Sequence, residues 1–450
     1  MYTFEVFDSR TRSIVKLEDC LLRLYVCGIT PYKSTHLGHA FTYVGFDTLF
    51  RLALDSGRDV LYIQNISDID EPLFQYAEKV GIHYKDLART QTKRFFEDMH
   101  TLECLPPGYV IPVSKVLDGI KTGIEGLISR NMAYKLPNGD VYFDSTLTDP
   151  GKMFCFDRKT AMSLMLETDT GKNPFDPLLW RGRGAEPQWE ASFGAGRPAW
   201  HISCAVLSNL QTQYENVLHI YGGGRDLAFP HHEFTNVLSK LIRAPKDNKQ
   251  QDTVQDVFMH TGLVSYMGDK MSKSKGNLVF ISQLREQCEK IGLHHSVIRL
   301  ALLQRHYRED WEWQDECLDR AASRFRLWKS ALQEYIGAKG IRSTADQNKG
   351  TQGAWERIHG GVFDSNFDHR QPIHPKHSPQ MRDYSEHGSA GQNGTDLDLS
   401  LYQAIRFHLC NDLDTPKALD AVDSYARKGT ITIPEARAVE KLLGIPLTRV

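Results

Sequence analysis

"LYVCGITPYKSTHLGHAFTY", residues 24–43, joins a strand-like run ending in Cys27-Gly28 to a helix that opens at His36-Leu37-Gly38-His39. A buried strand running straight into a helix N-terminus is the first turn of a βαβ unit, which implies a parallel sheet covered by helices. The turn is chemically unusual. It carries a soft metal ligand on its strand side and two imidazoles on its helix side.

The surrounding chain continues the pattern. "HAFTYVGFDTLFRLALDSG" (39–57) reads as an amphipathic helix stopped by Gly57, and "DVLYIQNIS" (59–67) as a second buried strand, with another helix from about Glu71. Residues 86–190 hold helices and a hairpin-like "YKLPNGDVYF" (134–143) built on Asn138-Gly139, and are expected to be an insertion between two halves of the sheet. "VLHIYGGG" (217–224) and "VFMHTGLV" (257–264) are the later strands, so 1–280 forms one Rossmann-like α/β domain. A helical domain is expected over 281–340 and short helices over 398–450. Between them, 341–397 is rich in Gly, Ser, Asn, Gln and His, and reads as a flexible insertion.

Composition narrows the function classes. With 450 residues, 41% apolar content and 34 glycines, the chain suits two or three globular domains. No apolar run reaches the roughly 18 residues of a membrane span. "MYTFEVFDSRTRSIVKLEDC" (1–20) is too charged for a signal peptide, and the eight cysteines lack paired spacing. We therefore expect a cytoplasmic protein, a monomer, without a membrane partner. A net charge of −2 with no basic stripe argues against a nucleic-acid partner.

Two motifs carry the chemistry. A helix N-terminus suits phosphate, Gly38 lets a nucleotide approach the backbone, and His36 and His39 can donate to a phosphate as charge builds there. On its own such a four-residue pattern is weak, since paired histidines are often structural. The second motif is "GDKMSKSKGN" (268–277), a loop carrying Lys270, Lys273 and Lys275. As an isolated feature it is a solvated basic loop. In this order, separated by an insertion, the two resemble the signature motifs of class I aminoacyl-tRNA synthetases. That resemblance implies attack of an amino-acid carboxylate on the α-phosphate of ATP, with Mg²⁺ accompanying the nucleotide. His36, His39, Lys270 and Lys273 would be the catalytic set.

A third group bears on the amino acid. Cys27, Cys204 in "RPAWHISCA" and His231 in "GGGRDLAFPHHEF" make a plausible zinc set with a fourth position open, although a buried cysteine is usually a small apolar residue. The words around these residues are similar to the cysteinyl-tRNA synthetase family over most of 20–330. In that family zinc takes the thiol of the substrate cysteine. The resemblance further implies that Gly28, Ile29, Thr30 and Thr42, then Asn65, Ile66 and Ser67, and Gly224, Arg225, Asp226 and Val264, surround the adenylate. Trp200 would wall the thiol pocket.

Within that resemblance two acceptors compete: tRNA, and the amine of glucosaminyl-inositol, as in the cysteine ligases of mycothiol biosynthesis. The string His231-His232-Glu233-Phe234-Thr235 places threonine where the synthetases have a zinc-ligating glutamate. "CGITPY", "GNLVFISQLR" and "HYREDWEW" (306–313) also resemble the ligases. Asp412, Asp414, Asp420, Asp423, Glu435 and Glu440 offset the basic residues of the last helices. "LETDTGKNPFDPLLW" departs from the ERGGDP-like element that the ligases carry there. We expect an amide-forming ligase that consumes ATP and L-cysteine, with cysteinyl-tRNA synthetase as the alternative. A non-catalytic paralogue is disfavoured, because both motifs and all three ligands are intact.

Overall fold

The nine-residue strand β1 (Leu21–Ile29) runs through the centre of a five-stranded parallel sheet, and its apolar continuity reflects burial on both faces. The computed structural model describes residues 2–17, 21–165, 171–182, 186–210, 217–243, 255–271, 276–340, 362 and 400–449. The other strands are β2 (Val60–Ile66), β3 (Tyr109–Pro112), β4 (Val217–Gly224) and β5 (Gln255–Thr261), in the spatial order β5-β4-β1-β2-β3. That order reverses direction between β1 and β4. In a doubly wound sheet, ligands sit outside the strand ends at such a reversal.

Alternation along β1 divides the core. Leu22, Leu24 and Val26 enter the cluster on one face, while Tyr25 and Cys27 enter the cluster on the other. The first face is covered by helix α1 (Leu37–Asp55), behind which lie helices 296–303, 316–339, 401–410, 415–427 and 433–443. The second face is covered by helix 117–129, α2 (Trp200–Ser208) and α3 (Glu233–Arg243). Cys27 therefore points toward α2 and α3, and the helix that follows the turn lies on the opposite side.

The segment expected to be an insertion over 86–190 is smaller than that. "YVIP" within it is β3, paired in parallel with β2 from Ile63↔Tyr109 to Ile66↔Pro112, so this part completes the sheet. A four-residue strand gives almost no periodicity, which is why the sequence places the boundary too early. The inserted unit is a four-stranded antiparallel sheet of 133–135, 141–143, 178–181 and 197–198. Helices follow at 281–290, 296–303 and 316–339, with strand 311–313 before the last of these, and again at 401–410, 415–427 and 433–443. The low-complexity stretch 341–397 lies outside the described residues apart from Val362, which is buried.

Among the described residues, no helix is long and apolar enough to cross a membrane.

Candidate active site

The exit of β1 is shaped by one glycine and one asparagine. A Cβ on Gly28 would stand 1.5 Å from the Asn65 carbonyl oxygen, so no other residue fits without moving β2. The Asn65 side chain accepts from Gly28 N–H at 2.9 Å and from the Tyr25 hydroxyl at 3.1 Å. The β1–β2 register shifts between Val26 and Ile29, and Thr30 beyond it donates to Asp70 at 2.6 Å. The chain thus leaves the sheet with Cys27 and Ile29 facing different clusters.

Six residues further on, His36 caps α1 by accepting from Gly38 N–H at 3.1 Å, and its ring stacks on His39 with centroids 3.9 Å apart. The first turn of α1 has no acidic residue, so the positive end of the helix is left to an incoming anion. Thr42 holds the next turn, donating to the Gly38 carbonyl at 3.1 Å and sharing a hydrogen bond with Thr261 at 2.8 Å. The two signature motifs are physically joined. Leu37 N–H donates to Val279 at 2.9 Å, and Ile281 N–H to Thr35 at 3.2 Å, just after the lysine loop. That loop is anchored from the other side, where strand 264–266 pairs with 311–313 and Leu263 N–H donates to Asp310 at 2.6 Å. "HYREDWEW" is therefore a brace for the arm carrying the lysines.

At the floor, Cys27 Sγ lies 3.2 Å from His232 Nε2 and 3.6 Å from His231 Nε2, with all three ligand atoms within 4.8 Å of one another. All are buried. A five-residue turn at 228–232, with Phe229 in extended conformation, precedes α3 and brings both consecutive imidazoles inward. Each is held from behind: His231 Nδ1 by His201 Nδ1 at 2.9 Å, and His232 Nδ1 by His260 Nε2 at 2.8 Å. Trp200 stacks on the His231 ring at 3.9 Å. The neighbouring Cys204 thiol, followed by burial, pushes the Cys27 thiol well above its ordinary range. Burial, then the neighbouring imidazoles, holds His231 and His232 well below theirs, which keeps them neutral and able to ligate. One thiol and two neutral imidazoles, each oriented by an outer hydrogen bond, are a donor set that fits a divalent metal of the zinc type.

Cys27 also lines a cavity of about 950 Å³, while His231 and His232 lie behind that lining. Cys27, Gly28, Ile29, Thr30, His36, His39, Thr42, Trp200, Gly224, Asp226 and Val264, all expected at the site, line it. Asn65, Ile66 and Ser67 do not. They are buried behind β1, where Asn65 braces Gly28 and donates to Ser67 at 3.1 Å. Arg225 also lies outside the lining and is paired with Asp310. Lys273 and the Lys270 side chain fall outside the described residues. His232 is the ligand candidate that sequence reasoning missed; the doubled histidine in "PHHEF" was its only signal.

Residues 13–323 match the family model described as tRNA synthetases class I (C) catalytic domain. A ligase of Sanguibacter keddieii, named L-cysteine:1D-myo-inositol 2-amino-2-deoxy-alpha-D-glucopyranoside ligase, is 37% identical over 98% of this chain and 95% of its own. Proteins of the same name from Gordonia bronchialis (37% identity, 94% and 90% coverage) and Streptomyces avermitilis (36%, 98% and 95%) are similar too. Among solved structures, a Mycobacterium tuberculosis methionyl-tRNA synthetase bound by methionyl-adenylate aligns over 95% of this chain and 90% of that one, with a TM-score of 0.56 at 13% identity, a likeness of fold. The chain belongs to the class I (C) synthetase catalytic-domain family and, within it, to the L-cysteine:1D-myo-inositol 2-amino-2-deoxy-alpha-D-glucopyranoside ligases.

Proposed function

We propose that this protein activates L-cysteine with ATP and transfers the cysteinyl group to the amine of glucosaminyl-inositol, releasing pyrophosphate and AMP. The observation that carries the reading is a single cavity lined by Cys27, which belongs to the buried Cys27–His231–His232 cluster, and by the His36–His39 turn. Near-full-length similarity to ligases of that name supports the acceptor. The carboxylates of the C-terminal helices do not oppose it: Asp412 is paired with Arg308, and Asp423 with Arg324 and Trp328.

In the first half-reaction a carboxylate oxygen of cysteine forms a bond to the α-phosphorus of ATP, and pyrophosphate leaves with the electrons of the broken P–O bond. His36, His39 and the α1 N-terminus face the place where negative charge grows, and Lys273 would reach it from the loop. In the second, the amine nitrogen forms the C–N bond at the cysteinyl carbonyl carbon. The C–O bond to phosphate breaks, AMP leaves with that electron pair, and the amine proton passes to solvent.

Cys27, His231 and His232 would hold a Zn²⁺ beside Cys204. Once bound, the ion supplies a Lewis-acidic position for the substrate thiolate, which a serine hydroxyl fills poorly. Trp200, flat against His231, confines the side chain that reaches this floor. The outer hydrogen bond gives a sensitive test. His201→Ala removes the partner of His231 and is expected to weaken zinc affinity about 10–100-fold, measured by competition with a chelator of known affinity. Unchanged affinity would remove His201 from the metal's support.

The acceptor is tested directly by measuring ATP- and cysteine-dependent AMP release with glucosaminyl-inositol or with tRNA. Stimulation by the amino sugar, with the amide found by mass spectrometry, is the expected result. Charging of tRNA with no response to the sugar would make the protein a cysteinyl-tRNA synthetase.

A further inference from the structure

The cavity has two flanks separated by the end of β1, and the activation of cysteine occupies one of them. Over β4 and β5, Gly223, Gly224, Gly262 and Val264 line it together with the first turn of α1. An adenylate belongs on this flank, at the point where the strand order reverses. Across β1 the cavity continues toward the start of helix 71–80 and the inserted sheet. Its walls are Asp70 and Glu71, at the start of helix 71–80, and Arg181 and Arg197 from the inserted sheet.

Asp70, Glu71 and Arg197 form a fixed polar set, with Arg181 on the neighbouring strand. Arg197 is 7% exposed, donates to both Glu71 oxygens at 3.0 and 2.7 Å, and lies over the Phe74 ring at 4.9 Å. Asp70 is locked by two donors, Thr30 Oγ1 at 2.6 Å and Glu71 N–H at 3.0 Å. Arg181 is the cross-strand partner of Arg197 in register. Two guanidiniums opposite one another are unfavourable in an antiparallel pair, and Glu71 pairs with Arg197. Fixed acceptors and donors at this spacing match a ring rich in hydroxyls. They offer no run of cations for a phosphate backbone. A positive neighbour also disfavours an ammonium, which must lose its proton before it can attack.

We propose that this flank is the acceptor site, in which Asp70, Glu71 and Arg197 hold the hydroxyls of the amino sugar and Arg181 keeps its amine unprotonated. The assignment rests on the amide-forming reaction proposed above. The nitrogen reaches the carbonyl carbon from the β2 side while AMP departs from the β4 side, so nucleophile and leaving group do not compete for one space.

Two variants spare the fold. Asp70→Asn retains a good helix cap, and Glu71→Gln removes the charge that pairs with Arg197 but leaves an amide oxygen to accept from it. Each is assayed on the full chain for cysteine-dependent exchange of pyrophosphate into ATP, and for AMP release driven by glucosaminyl-inositol. The second readout is expected to fall about tenfold or more relative to the first, through KM for the sugar, because a hydrogen bond to a charged group is lost. Arg181→Met is expected to move the acidic limb of the sugar-dependent rate to higher pH, since the amine regains affinity for its proton. A ratio within twofold of the unmodified protein in both carboxylate variants, an unmoved limb, or a proportional loss of both readouts would overturn the assignment. An unmodified protein that exchanges pyrophosphate but ignores the sugar overturns the acceptor reading itself, and the flank's role with it.

Discussion

Cys27→Ser is expected to leave the chain folded, nearly free of zinc, and at least about 100-fold slower in cysteine-dependent pyrophosphate exchange. Cys27 is the one residue shared by both ends of the site. Its sulfur lies against His231 and His232, and its carbonyl accepts from the Tyr43 hydroxyl of α1 at 3.1 Å. Serine keeps the volume and the backbone contact, so the sheet should hold, but its hydroxyl is a poor zinc ligand at neutral pH. His39→Ala is the control. It lies at the start of α1, outside the Cys27 cluster, and should keep full zinc content while slowing exchange by about 10²–10³. Elemental analysis and exchange kinetics on the two proteins separate metal loss from phosphate chemistry. Full zinc content in Cys27→Ser would place the metal elsewhere and sink the cluster.

The legible parts of this molecule are those fixed by local pattern. The apolar run of β1, the cap at His36 and the Asn138-Gly139 hairpin each follow from neighbours in sequence, and the βαβ reading follows from them. What escaped depends on irregular backbone or distant contacts. His232 has no signal of its own in the sequence beyond standing next to His231: in a regular helix consecutive residues point about 100° apart, but the turn at 228–232 is not regular, and both imidazoles face Cys27. Asn65 to Ser67 were expected at the adenylate because strand ends carry ligands. The register shift in β1 instead sets Gly28 against Asn65 and closes that strand end from the cavity. His201 and His260, which hold the two ligand imidazoles, come from α2 and β5, and no spacing links them to "PHHEF". The helix-carrying segments after residue 281 were readable as helices, but their role in anchoring α1 was not.

That anchor gives the largest expected effect on stability. Asp47, in the middle of α1, accepts from Arg51 Nε at 2.7 Å, Arg299 Nη2 at 2.5 Å and Leu105 N–H at 2.6 Å. Arg299 is fully buried and also donates to the carbonyls of Leu443 at 2.6 Å and Leu102 at 3.0 Å. Arg51 reaches the carbonyls of Glu440 and Lys441 at 3.2 Å each, so one carboxylate ties α1 to the last helix. Asp47→Ala strands two guanidiniums in the interior. Removing one partner of a buried charge cluster costs about 3–5 kcal/mol, which in a chain of this length should lower Tm by about 3–5 °C in calorimetry. Burial alone would raise the Asp47 carboxyl, but Arg51 and Arg299 outweigh it and hold the group below its ordinary range. A carboxylate depressed in the folded state stabilises above its unfolded pKa, and that stability is lost as pH falls through the folded value. The Tm gap between the unmodified protein and Asp47→Ala should therefore be full at neutral pH and begin to close only below about pH 4. Zinc content at 20 °C should be unchanged, since no part of the cluster touches Asp47. A gap of less than about 1 °C at pH 7 would mean that both arginines find other partners and that α1 is held by apolar packing alone.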